Sequence, residues 1–106
     1  MRQFVYPAVL YHFDEDESTY TVSFPDINVY CEGDSVEDAF VKAKNFLQAY
    51  CLCSLRLSKK INKPTSYLKM VEKYDDKIVL LVDCLVKDEE IRDDNNFFDI
   101  SDMFDD

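Results

Sequence analysis

The sequence predicts a small α+β domain: a three- or four-stranded, mainly antiparallel sheet in β-β-β-α-β order, with one long helix packed on it. Three observations carry this. Strand-like segments rich in aromatic and β-branched residues crowd the first third of the chain. A single helical stripe of apolar residues then runs from Val36 to Tyr50. After a polar connection comes the strongest apolar run, Ile78–Val86. Strands first, then a helix, then one returning strand is an α+β pattern.

The first strand is expected over Phe4–Phe13. Phe4, Tyr6, Ala8 and Leu10 fall on one face, and Val5, Val9, Tyr11 and Phe13 on the other, so the strand reads as central or partly covered on both sides. Pro7 cannot donate to a ladder and calls for a strand end or an edge. Asp14-Glu15-Asp16-Glu17-Ser18 is a charged turn, and Tyr20, Val22 and Phe24 alternate with Thr21 and Ser23 as a half-buried strand. The two strands should pair as an antiparallel hairpin. Pro25-Asp26 ends the second, and Asn28–Cys31 makes a short third.

The only glycine of the chain, Gly33, precedes Asp34 and Ser35 where the period changes from strand to helix. It is expected to supply a backbone conformation that a side chain would resist. Ser35 is a suitable N-cap with Asp38 in the capping-box position, and Glu37 and Asp38 suit the positive end of the helix dipole. Val36, Ala39, Phe40, Ala43, Phe46, Leu47 and Tyr50 form the buried stripe of a helix from about residue 36 to 53. The connection carries Arg56, Lys59, Lys60 and Lys63 and ends at Pro64. Thr65 or Ser66 is placed to cap a short helix through about Glu72, with Leu68 and Val71 facing in. The near-continuous apolar run Ile78–Val86 reads as a strand covered on both faces.

Length and composition fit one domain: 106 residues, 47% of them hydrophobic. Residues 1–87 are expected to form it, followed by an acidic, aromatic tail over 88–106. No apolar run approaches the roughly 20 residues of a membrane helix, and the start meets Pro7 too early for a signal peptide. A cytoplasmic location follows as the expectation. The net charge of -10 is concentrated at the end: residues 1–82 hold 12 acidic and 10 basic residues, residues 83–106 hold 10 and 2. Such a tail repels free nucleic acid and attracts a basic protein, or simply keeps the chain in solution.

The residues offer little for catalysis. Cys51 and Cys53, two apart on a helix, point to different faces, and Cys31, Cys84 and the only histidine, His12, complete no zinc pattern. Free thiols are the expectation, with no metal and no cofactor. Asp14, Glu15, Asp16, Glu17, Asp26 and Asp83 are the candidates for a two-metal nuclease. The first four lie in a solvated turn, Asp26 suits hydrogen bonds to turn amides, and Asp83 stands alone near a strand end. One glycine cannot build a phosphate-cradling loop. No enzyme activity is expected.

The ordered pieces Tyr6-Pro7-Ala8, an acidic turn, Tyr20-x-Val22-x-Phe24-Pro25-Asp26, Gly33-Asp34-Ser35-x-Glu37-Asp38-Ala39, Ala43-Lys44 and Tyr50 resemble the HicB-type antitoxins. Ile61-Asn62-Lys63-Pro64-Thr65-Ser66 resembles the family's connection, and Val79–Asp83 its last strand; the resemblance covers roughly residues 4–87. It implies a partial ribonuclease-H-like fold and an antitoxin that binds a small basic mRNA-cleaving toxin of the HicA type. It also implies self-association into dimers or higher oligomers. Two departures stand out. Ile27-Asn28-Val29-Tyr30 replaces a glycine-containing turn. The family's DNA-binding module has no counterpart in the short, acidic remainder, so operator binding by this chain alone is not expected.

The tail supplies the candidate partner-binding residues: Asp94, Phe97, Phe98, Asp99, Ile100, Met103 and Phe104. Aromatic anchors interleaved with carboxylates suit a basic surface such as that of a ribonuclease. The same residues could instead fold back on the chain's own sheet or pair in a dimer. Pro25, Asp26, Gly33, Asp34 and Ser35 form the structural turn and helix cap. The alternative function is an orphan or phage-style acidic inhibitor that mimics nucleic acid against another nucleic-acid-binding enzyme.

Overall fold

A computed structural model describes residues 1–12 and 18–91 of the chain. Four strands, β1 (Arg2–His12), β2 (Tyr20–Phe24), β3 (Val29–Gly33) and β4 (Ile78–Val86), form one sheet in the order β3-β2-β1-β4. Every neighbouring pair is antiparallel. Between β3 and β4 lie α1 (Val36–Arg56) and α2 (Tyr67–Lys73), and a single turn, α3 (Asp88–Ile91), follows β4.

β1 pairs along Arg2–Leu10 with β4 but only along Val9–His12 with β2. It is therefore central at one end and an edge at the other. Pro7 sits opposite Leu81 of β4 and outside the β2 register, so on the β2 side no ladder asks for its missing N–H. The expectation of an edge position is met on that side of the strand.

Side-chain alternation separates two layers. Tyr6, Ala8, Val22, Phe24, Val82, Cys84 and Val86 face α1 and form the core with its Ala39, Ala43, Leu47 and Cys51. Two alanines let the helix lie close over the sheet. Phe46, expected in the buried stripe, is 40% exposed, because the buried positions step by four from Ala39 to Cys51 and leave it on the flank. Pro7 and Val9, on the opposite face of β1, are also buried, as is Met70 of α2. Since α2 contacts β4, a second, smaller layer lies behind the sheet.

The opposite face of β4 departs from expectation. The strand is at the sheet edge, and Leu81 and Leu85 are 52% and 44% exposed. A seven-residue α2 is too short to cover nine residues of strand. The edge itself is partly guarded from α1: Gln48 Nε2 donates to the Leu85 carbonyl at 2.6 Å, and Lys44 Nζ lies 3.1 Å from Asp83 Oδ1. Gln3 also donates to Asp83, at 3.4 Å, and these partners hold its carboxyl below the usual carboxylate range, Lys44 contributing most.

α1 runs three residues past its expected end. Its closure is a Schellman motif: Lys59 N–H donates to Ser54 C=O at 2.8 Å and Ser58 N–H to Leu55 C=O at 3.2 Å. Ser58 takes the left-handed conformation, φ 54°, at the position glycine usually fills. At the other end of the chain's hairpin, Asn28 does the same with φ 55°, which explains how the β2–β3 turn is made without glycine. α2 is capped by Ser66, whose Oγ accepts from Lys69 N–H at 3.3 Å. Leu68, expected to face inward, is 73% exposed and Met70 is the buried residue. Two apolar positions cannot fix the phase of so short a helix.

Candidate partner-docking surface

Each turn residue singled out in the sequence has a place. Ser35 caps α1, its Oγ accepting from Asp38 N–H at 3.0 Å, and Asp38 Oδ2 accepts from Asp34 N–H at 3.0 Å. The reciprocal reach of the capping box thus goes one residue further back than usual. That bond and Lys42 hold the Asp38 carboxyl below its ordinary range. Gly33 has no positive φ, so conformation is not its reason. A Cβ there would stand 2.4 Å from Ala39 N and 2.8 Å from Ala39 Cα. The residue is glycine because the first turn of α1 passes against it.

Pro25 is half-buried in the β2–β3 turn. Asp26 bonds no amide of its own turn. Its Oδ2 accepts from Thr65 N–H at 2.7 Å, its Oδ1 from the Thr65 hydroxyl at 2.6 Å, and its carbonyl from Asn62 Nδ2 at 3.1 Å. The buried Tyr6 hydroxyl donates to the Asn62 carbonyl. Burial, with smaller contributions from Cys51, Tyr50 and Asp26, pushes the Tyr6 phenol up to about 12. The connection before α2 is thereby fastened to the β2–β3 turn, and Asp26 and Asp83 are both committed to structural bonds. No group of three or more metal-binding side chains occurs among the described residues. His12 stacks on Tyr20 with ring centroids 4.2 Å apart. The four cysteines are free thiols; Cys51 and Cys84 are buried and Cys53 is exposed, as the two-residue spacing on α1 requires.

Beyond the part covered by α2, the sheet face away from α1 carries exposed side chains among the described residues. The registers place Tyr11, Thr21 and Glu32 in one row across β1, β2 and β3, and Val9, Ser23 and Tyr30 in the next. Thr21 and Ser23 are short, so the middle strand forms a floor between taller flanks. The result is an open groove of about 420 Å³ lined by Tyr11, Thr21, Ser23, Tyr30 and Glu32. Tyr30 is 64% exposed. Lys77 Nζ lies 5.5 Å from the centre of the Tyr11 ring. The Glu32 carboxylate has no hydrogen bond or ion pair to the described residues, and it also borders a smaller recess with Thr19, Gly33, Asp34 and Lys42. On the β1–β4 half of the same face, Val5, Leu81 and Leu85 are exposed. None of these residues stood out in the sequence as a site. The alternation of β2 and β3 gives their facing, but only the pairing register brings them together.

The tail residues Asp94, Phe97, Phe98, Asp99, Ile100, Met103 and Phe104 lie outside the described residues. The chain leaves toward them from a fixed point. Arg56 donates from Nε and Nη2 to the Glu90 carbonyl, at 2.8 and 2.6 Å, and Ile91 packs against the core.

A four-stranded antiparallel sheet with one long helix on one face and, among the described residues, an open groove on the other defines a small α+β domain. Comparison with known proteins gives it a family. A family model described as a HicB-like antitoxin of bacterial toxin–antitoxin systems matches residues 6–101, and the chain belongs to that family. No curated protein matches the sequence. Among solved structures, the antitoxin HicB of Burkholderia pseudomallei is similar with a TM-score of 0.65 at 20% identity, over 74% of this chain and 60% of that one. This chain thus spans about 60% of that antitoxin's length. The N-terminal domain of the same antitoxin matches over its full length, covering 78% of this chain with TM-score 0.65 and 20% identity. A toxin–antitoxin complex from Streptococcus pneumoniae matches with TM-score 0.63 at 18% identity, over 77% of this chain and 69% of that one. At these identities the likeness is one of fold. No described helix is long and apolar enough to cross a membrane.

Proposed function

We propose that this antitoxin neutralises a small, basic, mRNA-cleaving toxin of the HicA type by direct protein–protein contact in the cytoplasm, without catalysis of its own. One observation carries the reading beyond family membership: the charge split. Residues 83–106 hold 10 acidic and 2 basic residues against the nearly balanced 12 and 10 of residues 1–82. A ribonuclease holds RNA on a cationic surface, and a concentrated acidic segment is drawn to such a surface over several ångströms. In this reading the body docks on the toxin while Asp94, Phe97, Phe98, Asp99, Ile100, Met103 and Phe104 lie over its RNA-binding groove. Their apolar anchors are interleaved with carboxylates that occupy the phosphate positions. The antitoxin acts as a dimer or higher oligomer.

Co-expression tests this. The chain should relieve growth arrest by a small basic toxin of the HicA type from the same genome, and should co-purify with that toxin. Growth arrest that persists despite soluble antitoxin refutes the reading. Deletion of residues 93–106 should weaken inhibition; full inhibition by the truncated chain removes the tail from the mechanism and leaves the body.

A further inference from the structure

The antitoxin reading assigns the tail a role and leaves the outer groove without one. Neighbouring strands lie about 4.8 Å apart, so flanks on β1 and β3 stand roughly 10 Å from each other across β2. A flat guanidinium fits beside one flank in a channel of that width. The β3 flank offers two groups that arginine engages together, an aromatic ring and a carboxylate. They are Tyr30, 64% exposed, and Glu32, whose carboxylate has no partner among the described residues. The β1 flank already holds a cation of the chain itself, Lys77 Nζ 5.5 Å from the Tyr11 ring. The groove is therefore an environment in which a cation is accepted, with one flank taken and the other open.

Resting on the antitoxin reading above, we propose that the Tyr30–Glu32 flank seats an arginine side chain of the cationic toxin. The guanidinium stacks on the Tyr30 ring and donates to the Glu32 carboxylate, and its aliphatic stem lies over Thr21 and Ser23. The exposed Val5, Leu81 and Leu85 on the other half of the face would take the apolar part of the same contact. Arginine suits the flank better than lysine because its planar fork both stacks and binds a carboxylate through two N–H groups.

The test uses the full-length chain, isotope-labelled for NMR, titrated with tri-arginine peptide, and separately the affinity of the intact chain for the basic HicA-type toxin that it neutralises in the co-expression test. Peptide should move the amide signals of Thr21, Ser23, Tyr30 and Glu32; movement confined to residues 92–106 overturns the proposal. Tyr30→Ala and Glu32→Gln change exposed side chains, so both variants should keep the wild-type thermal midpoint. Each should lower toxin affinity about tenfold, the loss typical of a truncated interface anchor. Unchanged affinity in both variants, with wild-type binding intact, overturns the groove and leaves the antitoxin reading standing. Absence of any toxin binding by the wild type overturns both.

Discussion

Replacing Gly33 with alanine would put a methyl carbon 2.4 Å from the Ala39 nitrogen, 2.8 Å from the Ala39 α-carbon and 2.8 Å from Asp38 Oδ2. The first two are backbone atoms in the first turn of a helix whose Ala39 is fully buried against the sheet. Asp38 could swing away, at the loss of its bond to Asp34 N–H. The backbone cannot move without lifting α1 off the core. Overpacking a well-filled site costs about 1–3 kcal/mol and occasionally more. With two of the three contacts to backbone, we expect the top of that range, about 3 kcal/mol. For a domain of this size that is a fall of roughly 12–20 °C in Tm, read by circular dichroism or differential scanning calorimetry. Ala39→Gly in the same chain should not restore stability, because the atoms that clash are main-chain. A Gly33→Ala protein melting within a few degrees of wild type, or one rescued by Ala39→Gly, would refute the steric account.

Ser58→Gly should stabilise the chain. It removes the left-handed strain of a side-chain-bearing residue, about 1–2 kcal/mol, and adds the entropy cost of glycine, about 0.5–1 kcal/mol, so Tm should rise by a few degrees. Asp26→Ala removes two hydrogen bonds from the Thr65 anchor and should cost about 1–3 kcal/mol; hydrogen exchange at Thr65 should accelerate well beyond the global effect. Cys51 is buried, and desolvation, reinforced by Cys84, pushes its thiol up to about 12. At pH 8 the native protein should therefore react with a thiol reagent at Cys53 first, while Cys51 and Cys84 react only on unfolding. The Asp83 and Asp38 carboxyls are depressed by their partners. The stability they add is present above the ordinary carboxylate pKa and is lost as pH falls through their lower folded values. Acid melting of Asp83→Asn should be shallower than that of wild type below about pH 4.

Local signals in the sequence located nearly every element. The alternation over Tyr20–Phe24, the Ser35 cap and the helical stripe from Val36 each rest on neighbours a few residues apart, and each has its counterpart in the fold. What could not be read is what depends on distant pairing. The run Ile78–Val86 is equally apolar whether one face or both are covered, and Leu81 and Leu85 lie exposed on the outer face. Asp26 looks like any turn aspartate until Thr65, thirty-nine residues on, is placed beside it. Gly33 is legible as a necessary glycine, but not as one required for space. The groove is the extreme case, since Tyr11, Thr21 and Glu32 share a row only through two successive strand registers.

How this sheet can be approached follows from what blocks it. Strand addition to β4 would meet an obstruction at one end of its edge, where Gln48 holds the Leu85 carbonyl and the Lys44–Asp83 pair lies beside it. The α1 face is sealed by the helix. Among the described residues the outer face offers a partner exposed side chains: Tyr30 and Glu32 on one half, Val5, Leu81 and Leu85 on the other. Recognition through side chains can differ between relatives of one fold, whereas an added strand reads chiefly the backbone and discriminates weakly. Toxin–antitoxin pairs that share a fold and coexist need such discrimination. If the proposed arginine seat is right, exchanging Glu32 for lysine places like charge against the toxin's guanidinium, and should reject the toxin far more strongly than Glu32→Gln while leaving the fold intact.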